Sequence, residues 1–123
     1  MTADTEVVCV PVTADGQVDR RWGKAERVAL ARLEGHTLAA WQVVDVGWDR
    51  SHHAGSEGQH HGRIVGFLRD HDVSVVVAGG MGPPMQHTLT RLGVRTVLGV
   101  QGDARSAALR GVREDVPQGA DAG

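Results

Sequence analysis

The stretch Val73-Ser74-Val75-Val76-Val77-Ala78-Gly79-Gly80-Met81-Gly82-Pro83-Pro84, followed after Met85 to Gly93 by Val94-Arg95-Thr96-Val97-Leu98-Gly99-Val100, decides the fold. Its first six residues are almost wholly apolar and rich in β-branched side chains. Such a run reads as a strand buried on both faces of a parallel sheet. Gly79-Gly80-Met81-Gly82 reads as a flexible turn. Pro83 and Pro84 then open a helix, because proline at a helix start gives up an N–H that has no partner there anyway. The helix runs to about Leu92, and Gly93 closes it as a left-handed cap. Residues 94–100 form the next strand. A strand–helix–strand unit of this length predicts parallel strands joined by a right-handed crossover.

On the amino-terminal side, residues 7–12 are a second apolar, β-branched run and predict another buried strand. Pro11 is tolerated near its end, where no ladder donor is needed. Ala14-Asp15-Gly16-Gln17 is a turn, and residues 18–26 form a polar connecting loop. Residues 27–33 and 37–46 predict two strands joined at Glu34-Gly35-His36, a hairpin that makes this part of the sheet antiparallel. Residues 47–59 read as a long polar loop. Residues 60–71 predict a helix, with Ile64, Phe67, Leu68 and His71 at i, i+3, i+4 and i+7. On the carboxyl side, Asp103 caps a short helix over residues 104–110. The order predicts an α/β three-layer fold, a mixed sheet of about five strands with three helices. Residues 1–5 read as a loose start, 6–110 as a single domain, and 111–123, rich in Gly, Pro, Asp and Ala, as a flexible tail.

Composition narrows the function. The 123 residues are 41% hydrophobic and 23% charged, as expected of a globular domain. With 13 basic and 15 acidic residues the formal charge is −2, too little positive field for a nucleic-acid coat or a polybasic membrane binder. No apolar run approaches a membrane span, and the first residues lack a basic, cleavable leader, so a cytoplasmic protein is expected. A single cysteine, Cys9, excludes an internal disulfide and a CxxC motif. Lying in an apolar strand, Cys9 is expected to act as a small core side chain.

The segments together resemble the dinitrogenase iron–molybdenum cofactor biosynthesis family (NifX-like proteins and related cofactor carriers). Val8-Cys9-Val10-Pro11-Val12 matches an apolar first strand ending in Pro-Val. Val18-Asp19-Arg20-Arg21-Trp22-Gly23-Lys24-Ala25 sits where the family has a His-Phe-Gly loop. His52-His53-Ala54-Gly55 through His60-His61-Gly62 sits where it has a loop containing His and Gly. Val77-Ala78-Gly79-Gly80-Met81-Gly82-Pro83, followed by Leu92-Gly93-Val94, is the most specific match. The resemblance implies a ribonuclease H-like fold. It also implies a non-catalytic carrier of an iron–sulfur or iron–molybdenum–sulfur cluster, or its precursor, working with cofactor-assembly or recipient proteins. In one place the chain departs from the family. Arg21 stands where the family has a histidine, and Trp22 replaces the phenylalanine. A guanidinium carries no lone pair for a metal. It does attract anions, and Arg20, Arg21 and Lys24 cluster on one short loop.

His52, His53, His60 and His61 fall within ten residues, a local enrichment that signals metal binding. Neutral imidazole suits zinc, nickel, copper and iron. The bland reading is a solvated His-rich loop. His71 is expected to be structural, and His36 and His87 to lie on the surface. The Gly79-Gly80-Met81-Gly82 turn lies at the carboxyl end of a strand, where open α/β sheets bind ligands. It lacks the third glycine of a dinucleotide fingerprint and the Lys-Ser/Thr of a phosphate loop. A tight structural turn is its bland reading. No Ser or Cys elbow and no converging carboxylates suggest catalysis. The expected site therefore joins Arg20, Arg21, Trp22, Lys24, Gly79, Gly80, Met81 and Gly82 around the cofactor, with His52, His53, His60 and His61 as metal ligands. A His-rich binder or sensor of a plain divalent ion and a metal-free interaction module are the alternatives.

Overall fold

A computed structural model describes residues 5–51 and 57–111. Five strands form one sheet: β1 (Thr5–Val12), β2 (Arg27–Glu34), β3 (Thr37–Asp45), β4 (Val75–Val77) and β5 (Arg95–Val97). Their order across the sheet is β3-β2-β1-β4-β5. β1 pairs with β2, and β2 with β3, in antiparallel fashion. β4 runs parallel to both β1 and β5. The hairpin and the parallel strand–helix–strand unit are thus both as the sequence predicts, and β1 is the strand on which they meet. Nothing in this mixed sheet conflicts with the ribonuclease H-like arrangement.

Alternation along the strands builds two cores. Cys9, Val28, Leu30 and Val76 face one side of the sheet. Val8, Val10, Ala29, Ala31, Leu33, Val75 and Val77 face the other. On the first side lie α1 (Trp48–Ser51), α2 (Glu57–Asp70) and α3 (Pro83–Arg91). They bury Trp48, Ile64, Leu68, Met85 and Leu89. On the second side lies α4, residues 104–111, which packs Ala104, Ala107 and Ala108 on the sheet. The helix end lies close to the sheet, since a Cβ on Gly111 would meet Val77 Cγ2 at 2.5 Å. The result is three layers.

Two expectations need correction. Residues 47–59 are not one polar loop: Trp48–Ser51 is a helical turn, and α2 begins at Glu57. The described chain therefore carries four helical segments rather than three. Gly58, Gly62 and Gly66 weaken the helical signal of α2, since glycine is a poor helix former. Packing of its apolar stripe overrides that weakness.

Candidate functional site

The carboxyl ends of the parallel strands open toward the loop between β1 and β2. That loop is tied down by main-chain bonds. Asp19 N–H donates to the Pro11 carbonyl at 2.8 Å, and Trp22 N–H donates to the Gly80 carbonyl at 3.3 Å. The approach is close because two side chains are missing. A Cβ on Gly79 would lie 3.0 Å from Arg20 Cα, and one on Gly80 would lie 3.4 Å from Arg20 O. The two glycines thus make room for Arg20's own backbone. The turn after β4 is held in turn by Gln86, whose side-chain amide donates to the Met81 carbonyl at 2.8 Å.

Between loop, turn and α2 lies a cleft of about 350 Å³. Arg20, Arg21, Trp22, Lys24, Gly80, Met81 and Gly82 line it, together with His60 and His61. The structure therefore gathers the predicted cation loop, most of the glycine turn and one histidine pair around a single space. Gly79 faces a neighbouring hollow instead, with Arg20, Gly80, Gly99 and Gln101. His52 and His53 lie outside the described residues.

The charges at this cleft are one-sided. Arg20, Arg21 and Lys24 are all exposed at its mouth. Arg21 is partly offset by Asp19, whose carboxylate accepts from the Arg21 amide at 3.0 Å and stands 4.0 Å from Nε. Among the described residues neither Arg20 nor Lys24 forms an ion pair. No carboxylate is among the described residues lining the cleft. Its floor is soft and apolar: Met85 is buried, Met81 half-buried, and Trp22 is 1% exposed. Trp22 stands edge-on to Trp48 with ring centroids 5.0 Å apart, and Trp48 does the same to Phe67 at 5.7 Å. Trp22 Nε1 is buried without an acceptor. The start of α3 offers an anion little. Pro83 and Pro84 have no N–H, and the next two amides, Met85 and Gln86, both donate to the Gly82 carbonyl at 3.1 Å.

The two cleft histidines differ. His61 is half-buried on the wall. His60 is 3% exposed, and its Nε2 lies 2.7 Å from the Gly23 carbonyl oxygen. A carbonyl only accepts, so Nε2 carries the proton and its lone pair is not available to a metal. Sequence reasoning missed this bond. A signal existed, because His60, Ile64 and Leu68 are spaced four apart and share the buried stripe of α2. Met85 and the Trp22–Trp48 packing were missed as well. Among the described residues no three His, Cys, Asp or Glu side chains group around a point that would hold a metal ion. Cys9 is buried within β1, and burial pushes its thiol pKa far above the ordinary value. His36, His71 and His87 are exposed, and His71 packs its ring against Phe67 at 4.5 Å.

Among the described residues, no helix is long and apolar enough to cross a membrane. No curated protein matches the chain. Solved structures do. The apo form of the orange protein from Desulfovibrio gigas superposes with TM-score 0.68 at 21% identity, over 92% of this chain and 88% of that one. The protein PH0822 gives 0.66 at 22% identity, over 81% and 82% of the two chains. A Thermotoga protein with a provisional NifB designation, solved by NMR, gives 0.62 at 22%, over 83% of each. At such identities the likeness establishes the shared fold. The family model described as dinitrogenase iron–molybdenum cofactor matches residues 6–115. The chain accordingly belongs to the dinitrogenase iron–molybdenum cofactor family.

Proposed function

We propose that this chain is a non-catalytic carrier that holds an iron–sulfur or iron–molybdenum–sulfur cluster, or a precursor of one, in the cleft between the cation loop and the glycine turn. The observation that carries this reading is the charge and softness of the cleft. Arg20, Arg21 and Lys24 stand at its mouth, Met81 and Met85 line it, and no carboxylate is among its described lining residues. Sulfide-rich clusters are anionic and soft. Guanidinium and ammonium groups attract their charge, and thioethers suit their sulfur-bound metals.

The binding is non-covalent in the main. Arg21 stands in the place of the family's histidine and contributes charge rather than a metal–nitrogen bond. His60 and His61 line the cleft, and with His52 and His53 they are the proposed imidazole ligands. Trp22 Nε1, buried without an acceptor, is a donor that an incoming sulfide would satisfy. Phosphate esters fit less well, because the prolines and the bonded amides of α3 deny them the usual main-chain cradle. At His60 the Nε2–H is committed to the Gly23 carbonyl, so a metal ion there would have to be taken by Nδ1.

Cofactor-assembly or recipient proteins are the proposed sources and destinations of the cargo, and the cytoplasm the proposed compartment. The test is anaerobic equilibrium dialysis of the purified, untagged chain against tetrathiomolybdate and against zinc, nickel and copper ions. Binding of the thiometallate in preference to the simple ions is expected, with loss of affinity in Arg20→Ala/Arg21→Ala/Lys24→Ala. Preference for a simple ion, or an unchanged triple variant, sinks the reading.

A further inference from the structure

Two elements far apart in sequence form the cleft wall that carries the cations, and a side-chain bond from His60 joins them there. We infer that His60 is a positioning residue of the proposed cargo site: its Nε2–H latches the Gly23 carbonyl to α2 and so holds Arg20, Arg21 and Lys24 at the cleft mouth. This rests on the carrier reading for what the cations do, and on geometry alone for the latch itself.

Gly23 lies between Trp22 and Lys24, so a bond to its carbonyl acts on the middle of the cation loop. The bond is short, 2.7 Å, and His60 is 3% exposed, so water competes poorly for the imidazole. Ile64 and Leu68, one and two turns along on the same stripe, are 0% and 1% exposed and fix α2 to the sheet. The histidine is thus mounted on a packed element, and the residue it grips, Gly23, has no side chain of its own to anchor the loop. Other main-chain bonds on these residues are longer: Trp22 N–H to the Gly80 carbonyl across the cleft, and Ala25 N–H to the Trp22 carbonyl within the loop, both at 3.3 Å. Arg21 N–H to the Asp19 carboxylate and Trp48 N–H to the Ala25 carbonyl are both 3.0 Å, so among the described residues the His60 contact is the shortest hydrogen bond on residues 20–25. A histidine gives this latch a donor of fixed direction. It holds whether the ring is neutral or charged, because Nε2 bears a proton in both forms. The ring nitrogen that faces Gly23 thus works through the loop, and any metal at this histidine would be taken by Nδ1.

The test compares His60→Gln, whose amide N–H stands near the place of Nε2–H, with His60→Leu and His60→Phe, which fill the space and donate nothing. Two quantities are read on the full chain: amide hydrogen exchange at Trp22 and Ala25, and anaerobic affinity for tetrathiomolybdate. Exchange at both amides is expected to speed in the Leu and Phe variants and to return toward wild type in the Gln variant. Affinity is expected to fall roughly three- to tenfold in the first two and to recover in the third. Unchanged exchange in the Leu and Phe variants overturns the latch. Gln behaving like Leu overturns it also, since ring packing would then be the whole role. A wild-type chain that ignores tetrathiomolybdate sinks the carrier reading alone, and the exchange result still decides whether His60 holds the loop. Should Leu and Phe both fail to fold, faster exchange in Gln than in wild type at these two amides, with protection elsewhere intact, overturns the N–H as the cause.

Discussion

Gly79 shows at the residue scale how a glycine can answer to a contact that its local sequence does not display. The sequence places Gly79 and Gly80 in a turn where a ligand could approach the backbone. The structure also brings Arg20's backbone there, 3.0 Å from where a Gly79 Cβ would sit. No local pattern reveals such a contact, since 59 residues separate the two positions and only the completed sheet brings them together. Gly79→Ala is expected to cost about 1–3 kcal/mol, as overpacking against backbone does. Gly80→Ala, facing Arg20 O at 3.4 Å, is expected to cost clearly less. Urea unfolding midpoints of the two variants check this order. Equal midpoints would mean that the loop moves aside freely and is not held by the turn.

At the scale of elements, strong periodicity was legible and weak periodicity was not. β1, β2 and β3 follow from apolar runs and a glycine turn, and Gly35 takes the positive φ of 66° that such a turn uses. α1 has four residues, too short to show any period. The cap of α4 was legible, because Asp103 precedes an alanine-rich stripe. Its carboxylate accepts from Ser106 N–H at 2.9 Å, and that bond holds its pKa below the ordinary value. The folded state thus favours the ionised form. The resulting stability is complete above the unfolded pKa of about 4 and is lost as pH falls through the lower folded value. Asp103→Ala is expected to lower the melting temperature at neutral pH. Asp103→Asn is expected to retain most of it, because an amide oxygen also accepts from the helix amides. Melting curves down the acid range check the sign: the gap between wild type and Asp103→Ala should narrow as pH falls. A gap that stays constant would assign the effect to something other than the carboxylate's charge.

Considered as a whole molecule, the chain is slightly acidic, yet its cations are not evenly spread. A net charge of −2 gives no hint of a basic site, and composition alone argues against one. Folding makes the cationic cleft by bringing Arg20, Arg21 and Lys24 to the end of the sheet where β4 delivers its glycine turn. The sequence made the cation loop and the turn visible separately. The resemblance put them in one family, and only the topology β3-β2-β1-β4-β5 makes them neighbours. An anion held chiefly by exposed guanidinium and ammonium groups feels them through water and salt. Their reach falls to about 10 Å at 0.1 M ionic strength and about 3 Å at 1 M. Affinity for tetrathiomolybdate is therefore expected to drop steadily from low salt to 0.5 M sodium chloride. The slope should flatten in Arg20→Ala/Arg21→Ala/Lys24→Ala, since fewer charges remain to be screened. A metal–nitrogen or metal–sulfur bond to protein would behave otherwise, because ligation at short range is little affected by dissolved ions. Wild-type affinity that ignores salt would thus shift the weight of binding from the cation loop to His61 and the thioethers. A salt slope that survives the triple substitution would place the attracting charges elsewhere on the surface.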